Sequence, residues 1–170
     1  MITFHRPANV DTPGLLSLLC DSLINISRHL PLIFPVHPRT KKNLQDFGLL
    51  DTLEQSNTIT LSEPLSYVNF MSLVVNCRLA ITDSGGIQEE TTYLGIPCLT
   101  MRPNTERPVT VTQGTNQLCT LSDIEEKAIA LFSQDRSGYE VPDLWDGKTA
   151  ARVVNSISRH REAIAFYRGT

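Results

Sequence analysis

Leu79-Ala80-Ile81-Thr82-Asp83-Ser84-Gly85-Gly86-Ile87-Gln88-Glu89-Glu90 changes character twice within a few residues. Leu79-Ala80-Ile81 has the length and apolarity of a buried strand, Gly85-Gly86 interrupts it, and Ile87, Tyr93 and Leu94 then recur at helical spacing. The result is strand, glycine turn, helix. The same alternation continues in both directions. Short β-leaning runs fall at Ile2 to Phe4, Leu32 to Val36, Thr58 to Leu61, Leu79 to Thr82, Cys98 to Met101 and, weakly, Gln117 to Leu121. Helical spacing falls at Pro13 to Ser27, Thr40 to Phe47, Pro64 to Asn76, Ile87 to Leu94, Asp123 to Phe132 and Thr149 to Phe166. Strands that alternate with helices join through right-handed crossovers, so the pattern predicts a doubly wound, Rossmann-like α/β domain on a mainly parallel sheet.

Local punctuation agrees with that division. Ser122-Asp123-Ile124-Glu125 has the spacing of a capping box, Pro13 and Pro64 stand where a first helical turn tolerates proline, and Gly95-Ile96-Pro97 should end the fourth helix.

A chain of 170 residues supports one core, so a single domain over 1–170 is expected. Apolar residues make up 41% and charged residues 19%, as in globular proteins. A net charge of −3 leaves no basic footprint for nucleic acid. The longest apolar runs, such as Leu30 to Val36, fall far short of a membrane span, and the start lacks a secretory pattern, so a cytoplasmic location is expected. Four cysteines without a CxxC pair and four scattered histidines predict thiols packed as small apolar residues, with no metal or cofactor.

Ser84 admits several readings. Asp-Ser-Gly-Gly also surrounds a protease nucleophile, but in antiparallel barrels rather than alternating folds. Thr82 stands where the hydrolase elbow G-x-S-x-G needs glycine. A plain helix cap is the simplest role for the serine. A phosphate cradle is the alternative, because glycines let backbone approach an oxyanion and a helix start offers unpaired N–H groups. Residues at other strand ends favour the cradle. Glu90, one turn beyond Gly86, can accept from the two hydroxyls of a ribose, and Arg107 in Thr105-Glu106-Arg107-Pro108 can meet a diphosphate. Tyr67 or Phe70 can pack against a base, and His5, Arg6 and His37 follow the first two strands on the same rim.

Read together, "HRPANVD", "PVHP", "EPLSYVNFMSLVVNCRLAITDSGGIQEETTYLGIPCLTMR" and "TERP" resemble the UDP-N-acetylglucosamine 2-epimerase family from about Ile2 to the "DGKTAARVV" segment. The resemblance implies the C-terminal half of a GT-B arrangement, with an N-terminal domain that supplies the catalytic carboxylates absent from this chain. It implies UDP binding by Phe70, Ser84, Gly85, Gly86, Glu90 and Arg107, a catalytic place for His5, and a second, activating UDP-N-acetylglucosamine near Arg6 and His37. The family departs here at Pro7 and Ala8, where many members have arginine and glutamate, and at Val109, a frequent glutamate.

The implied activity is an isomerase for cell-surface polysaccharide biosynthesis that inverts C2 of UDP-N-acetylglucosamine by UDP elimination and re-addition. A GT-B glycosyltransferase and a non-catalytic UDP-sugar module remain open, as does a homodimer.

Overall fold

The computed structural model describes residues 1–134, 139 and 141–167. Six parallel strands are β1 (Ile2–Thr3), β2 (Leu32–Pro35), β3 (Ile59–Ser62), β4 (Ala80–Thr82), β5 (Cys98–Met101) and β6 (Asn116–Cys119). β1-β4-β5-β6 form one ladder and β2-β3 another. β1 and β2 lie in contact without ladder pairing, so the spatial order is 3-2-1-4-5-6, with its reversal between β1 and β4. Ile2 pairs with Ile81 there, which brings the loops after both strands together.

Alternate residues of each central strand serve opposite faces of the sheet. Ile81, Leu99 and Met101 join one apolar cluster with Leu19 and Leu23 of α2 (Pro13–Ser27) and Ala128 and Leu131 of α8 (Ile124–Ser133). Ala80 and Cys98 join a second with Val74 of α5 (Tyr67–Asn76) and Ile87 of α6 (Gly85–Tyr93). All three residues of β4 and all four of β5 are buried, as helices on both faces require. Burying a side chain such as Ile2, Leu23 or Ile81 contributes roughly 1.5–3 kcal/mol.

Expected helix starts shift: α3 (Pro38–Asp46) begins at Pro38 rather than Thr40 and α6 at Gly85 rather than Ile87, and two others differ in their capping. α5 begins at Tyr67, not Pro64, because Ser66 takes the cap position and accepts from Asn69 N at 3.4 Å. The capping box at Ser122 and Glu125 is not formed: the cap position is Asp123, whose carboxylate accepts from Thr120 N at 2.6 Å, while Glu125 accepts from Asn25 Nδ2 of α2. Tertiary pairing therefore takes the glutamate that local capping would have used. Gly95 does end α6, at φ 66°. The described residues also form α1 (Pro7–Val10), α4 (Leu50–Glu54) and α7 (Val109–Thr112), and the long α9 (Thr149–Tyr167). Among the described residues no helix is long and apolar enough to cross a membrane.

Burial pushes the thiols of Cys20 and Cys119 up to about 12 and that of Cys98 to about 11. Alkylation requires thiolate. Iodoacetamide at pH 8 should therefore leave these three unmodified in the native chain and label them in denaturant; native labelling of Cys98, read by peptide mass, would contradict the packing.

Candidate functional site

The site lies where the strand order reverses, at the carboxyl ends of β1 and β4. Asp83, one residue beyond β4, has a completely buried side chain. Its carboxylate accepts from Arg6 N at 2.9 Å, Asn9 Nδ2 at 3.0 Å and His5 N at 3.1 Å. His5 Nδ1 lies 2.9 Å from its other oxygen. A carboxylate already surrounded by donors can only accept here, so Nδ1 carries the hydrogen and Nε2 is left for other chemistry. Arg6 closes the junction by donating from Nε to the Asp83 carbonyl at 2.8 Å. His37, beyond β2, caps α3 by accepting from Arg39 N and sits with its ring centroid 5.5 Å from that of His5.

Beyond Asp83 the chain enters α6, with Ser84 at the cap position in extended backbone. Its hydroxyl makes no cap hydrogen bond. The simple capping role is therefore not what the serine performs, and the first N–H groups of α6 have no partner within the helix. Gly85 and Gly86 are the first helical residues rather than a left-handed turn, so their lack of a side chain matters for space. A Cβ on Gly86 would meet nothing within 4 Å, whereas one on Gly85 would stand 2.7 Å from Arg107 Nη1. The guanidinium lies against the helix start.

His5, Phe70, Ser84, Gly86 and Glu90 line a cleft of about 280 Å³ together with Tyr67. Gly85 and Arg107 adjoin it through the contact just described, so nearly every residue singled out from the sequence falls in one place. Glu90 Oε1 accepts from the Tyr67 hydroxyl at 3.2 Å, and that bond raises the Tyr67 pKa.

Arg107 is a cation beside the cleft, against the helix start at Gly85. Its Nε is 2.6 Å from Glu89 Oε2, but the buried Nε–H makes no hydrogen bond, so the contact is an ion pair without alignment. Neighbouring Glu106 is 3.8 Å away and committed elsewhere: both its oxygens accept from the buried Arg102, at 2.8 and 2.6 Å, which holds its carboxyl well down, to about 2. The pairing leaves Arg107 with most of its donors for an incoming anion. Sequence patterning missed Asp83, Asn9 and Gln88 as parts of the site. Gln88, Thr91 and Thr92 are polar residues on the buried side of α6, a mismatch with helical apolar spacing that could have drawn attention to them.

Among the described residues no cluster of His, Cys, Asp and Glu could hold a metal ion.

Fold and site together define a Rossmann-like domain of the GT-B kind, with an anion-receptive helix start at its switch point. The UDP-N-acetylglucosamine 2-epimerase family model matches residues 1–158, and the chain belongs to that family. A UDP-N-acetylglucosamine 2-epimerase of Methanococcus maripaludis is 47% identical over 120 residues, 69% of this chain and 33% of the relative. One from Methanocaldococcus jannaschii is 37% identical over 163 residues, 93% of this chain and 44% of its own. A crystal structure of the M. jannaschii epimerase in complex with UDP-GlcNAc and UDP superposes with a TM-score of 0.82 at 36% identity, over 93% of this chain and 44% of that one. An S. aureus structure with UDP gives 0.76 at 28% identity, covering 95% and 45%. The chain thus spans less than half the length of these relatives and matches their C-terminal part.

Proposed function

We propose that this chain is the UDP-binding half of a cytoplasmic enzyme that inverts C2 of UDP-N-acetylglucosamine to give UDP-N-acetylmannosamine. The observation that carries the reading is the juxtaposition, within a chain of this family, of an uncapped helix start, the Arg107 guanidinium and the Glu90 carboxylate around one cleft. The diphosphate is expected at the Ser84–Gly86 helix start, opposite Arg107, with the ribose hydroxyls on Glu90 and the base beside Phe70. These residues do the work that elimination asks of a leaving-group site. As the proton leaves C2 and the C1–O bond breaks, the electron pair departs with UDP; N–H groups and a guanidinium already in place stabilise that charge without reorganisation. Re-addition to the resulting glycal, after protonation at C2 from the opposite face, restores the sugar nucleotide. His5 reaches the cleft with Nε2 available to the phosphates or the sugar, held by Asp83.

The proton-transferring carboxylates belong to a second domain, in keeping with the greater length of the relatives. The purified chain is therefore expected to bind UDP without epimerising the sugar nucleotide; measurable epimerisation by it alone would refute the division of labour. Calorimetric titration of UDP tests the site. Glu90→Ala should weaken binding about tenfold or more, the worth of hydrogen bonds to a charged acceptor, and Ser84→Ala by about two- to fivefold. Equal affinity in all three proteins would remove the site assignment.

A further inference from the structure

Gln88 is completely buried, one turn into α6. Its amide touches three separate parts of the chain. Nε2 donates to the Ser84 carbonyl at 3.2 Å, and Oε1 accepts from Thr105 Oγ1 at 2.6 Å and from Asn116 Nδ2 at 3.1 Å. Both hydroxyls that grip Arg107 trace back to that oxygen. Thr105 Oγ1 accepts from Arg107 N at 3.0 Å, and Thr110 Oγ1, itself accepting from Asn116 Nδ2 at 3.1 Å, donates to Arg107 O at 2.8 Å. Thr100 Oγ1 donates to Asn116 Oδ1 at 2.7 Å and completes the partners of the asparagine amide.

The donors and acceptors permit one arrangement. The Ser84 carbonyl can only accept, so Gln88 must present its NH₂ there and its oxygen to Thr105 and Asn116, and Asn116 must then present its NH₂ to Gln88 and Thr110. Reversing Gln88 would set donor against donor at Asn116 and acceptor against acceptor at Ser84, and reversing Asn116 would set acceptor against acceptor at Gln88, at the cost of unmade hydrogen bonds in a buried place. The network is neutral throughout, so it holds its geometry without depending on the protonation of any member.

We infer that Gln88 is a positioning residue that ties the Arg107 loop to the Ser84–Gly86 helix start, setting the guanidinium at the distance a diphosphate requires. The inference rests on the reading of the cleft as a diphosphate site. It says how Arg107 is aimed although Arg107 stands on a different loop from the helix start: one side chain of α6 binds the Ser84 carbonyl directly and both ends of the Arg107 peptide through hydroxyls. Preorganisation of this kind raises affinity for the part of the ligand that Arg107 meets and leaves the rest unaffected.

The test is binding of UDP and of uridine by the chain carrying Gln88→Met, Thr105→Val and Arg107→Ala, singly and with each of the first two combined with the third. Gln88→Met and Thr105→Val should each weaken UDP about tenfold, as expected for a misplaced charge-assisted contact, while uridine binding stays within about twofold. On the Arg107→Ala background neither should weaken UDP further, because the residue they position is gone. Thr105→Val removes a single hydroxyl and keeps the Gln88–Asn116 pair, so it carries the test if Gln88→Met does not fold. Parallel losses for UDP and uridine would reduce Gln88 to a packing role, and losses that persist undiminished without Arg107 would break the link to the guanidinium; either overturns the inference. If the unsubstituted chain holds UDP no more tightly than uridine, the diphosphate site itself is wrong, and the inference falls with it.

Discussion

Asp83→Ala is expected to destabilise the chain by about 3–5 kcal/mol, the cost of removing a buried carboxylate and orphaning the donors it receives. The aspartate side chain joins the ends of β1 and β4 by receiving His5 N, Arg6 N, Asn9 Nδ2 and His5 Nδ1, beside the Arg6 Nε bond to the Asp83 carbonyl. Truncation leaves the backbone N–H groups of His5 and Arg6 without that acceptor and Asn9 Nδ2 with only the Met101 carbonyl, at 3.3 Å. Each orphaned donor costs about 1–3 kcal/mol, and the costs overlap because the groups share one oxygen pair. Asp83→Asn keeps one oxygen and most of the volume, so its loss should be smaller. With a slope near ~2 kcal/mol per molar urea, the alanine variant's midpoint should fall by roughly 1.5–2.5 M without a change in slope. A midpoint lowered by under about 0.3 M would show that the β1–β4 junction is held by the ladder and the apolar clusters alone.

The contrast between Asp83 and the strands shows which parts of this architecture can be read locally. β4 and β5 were legible because strands buried on both faces write themselves as continuous apolar runs, and Ala80 to Thr82 and Cys98 to Met101 are such runs. α2 was legible to its ends because fifteen residues give the helical period room to repeat. α1, α4 and α7, at four or five residues, are shorter than any window in which a period can be recognised. Starts were harder than bodies. Glu125 looked like half of a capping box until Asn25, a hundred residues away, took its carboxylate.

The site divides the same way. Ser84, Gly85, Gly86 and Glu90 announce themselves by composition beside a strand end, and His5, Phe70 and Arg107 by their places near other strand ends, to which the resemblance added their roles. The residues that hold those in place, Asp83 and Gln88, act across 74 to 78 and 17 to 28 positions of sequence. Their spacing carries no local period, so only the folded chain reveals the contact. Gly85 is the instructive case. Its value is readable as backbone freedom, yet it is helical, and what it supplies is room for Arg107.

Arg107→Ala is expected to weaken UDP by about 30-fold to several-hundred-fold, since the charge-assisted, bidentate contacts of a guanidinium with a diphosphate are worth roughly 2–3.5 kcal/mol. Uridine should bind as before, because Glu90 and Phe70 are untouched. Gly85→Ala probes the same contact with the charge retained. A methyl there would stand 2.7 Å from Arg107 Nη1 and 3.2 Å from Cζ, and the atoms it meets are the far end of a side chain that can move. The backbone at residue 85 is helical, where alanine is favoured over glycine by up to about 1 kcal/mol, less at a first position. The two consequences have opposite signs: stability is held or raised while UDP affinity falls by about tenfold, as Arg107 is pushed off the helix start. A variant that is more stable and binds worse cannot be explained by damage to the fold. On the Arg107→Ala background the same methyl should cost UDP binding almost nothing, because the atoms it displaced are gone. Unchanged UDP affinity in Gly85→Ala, or a loss for UDP matched by one for uridine, would separate Arg107 from the diphosphate and leave the helix start to hold it alone.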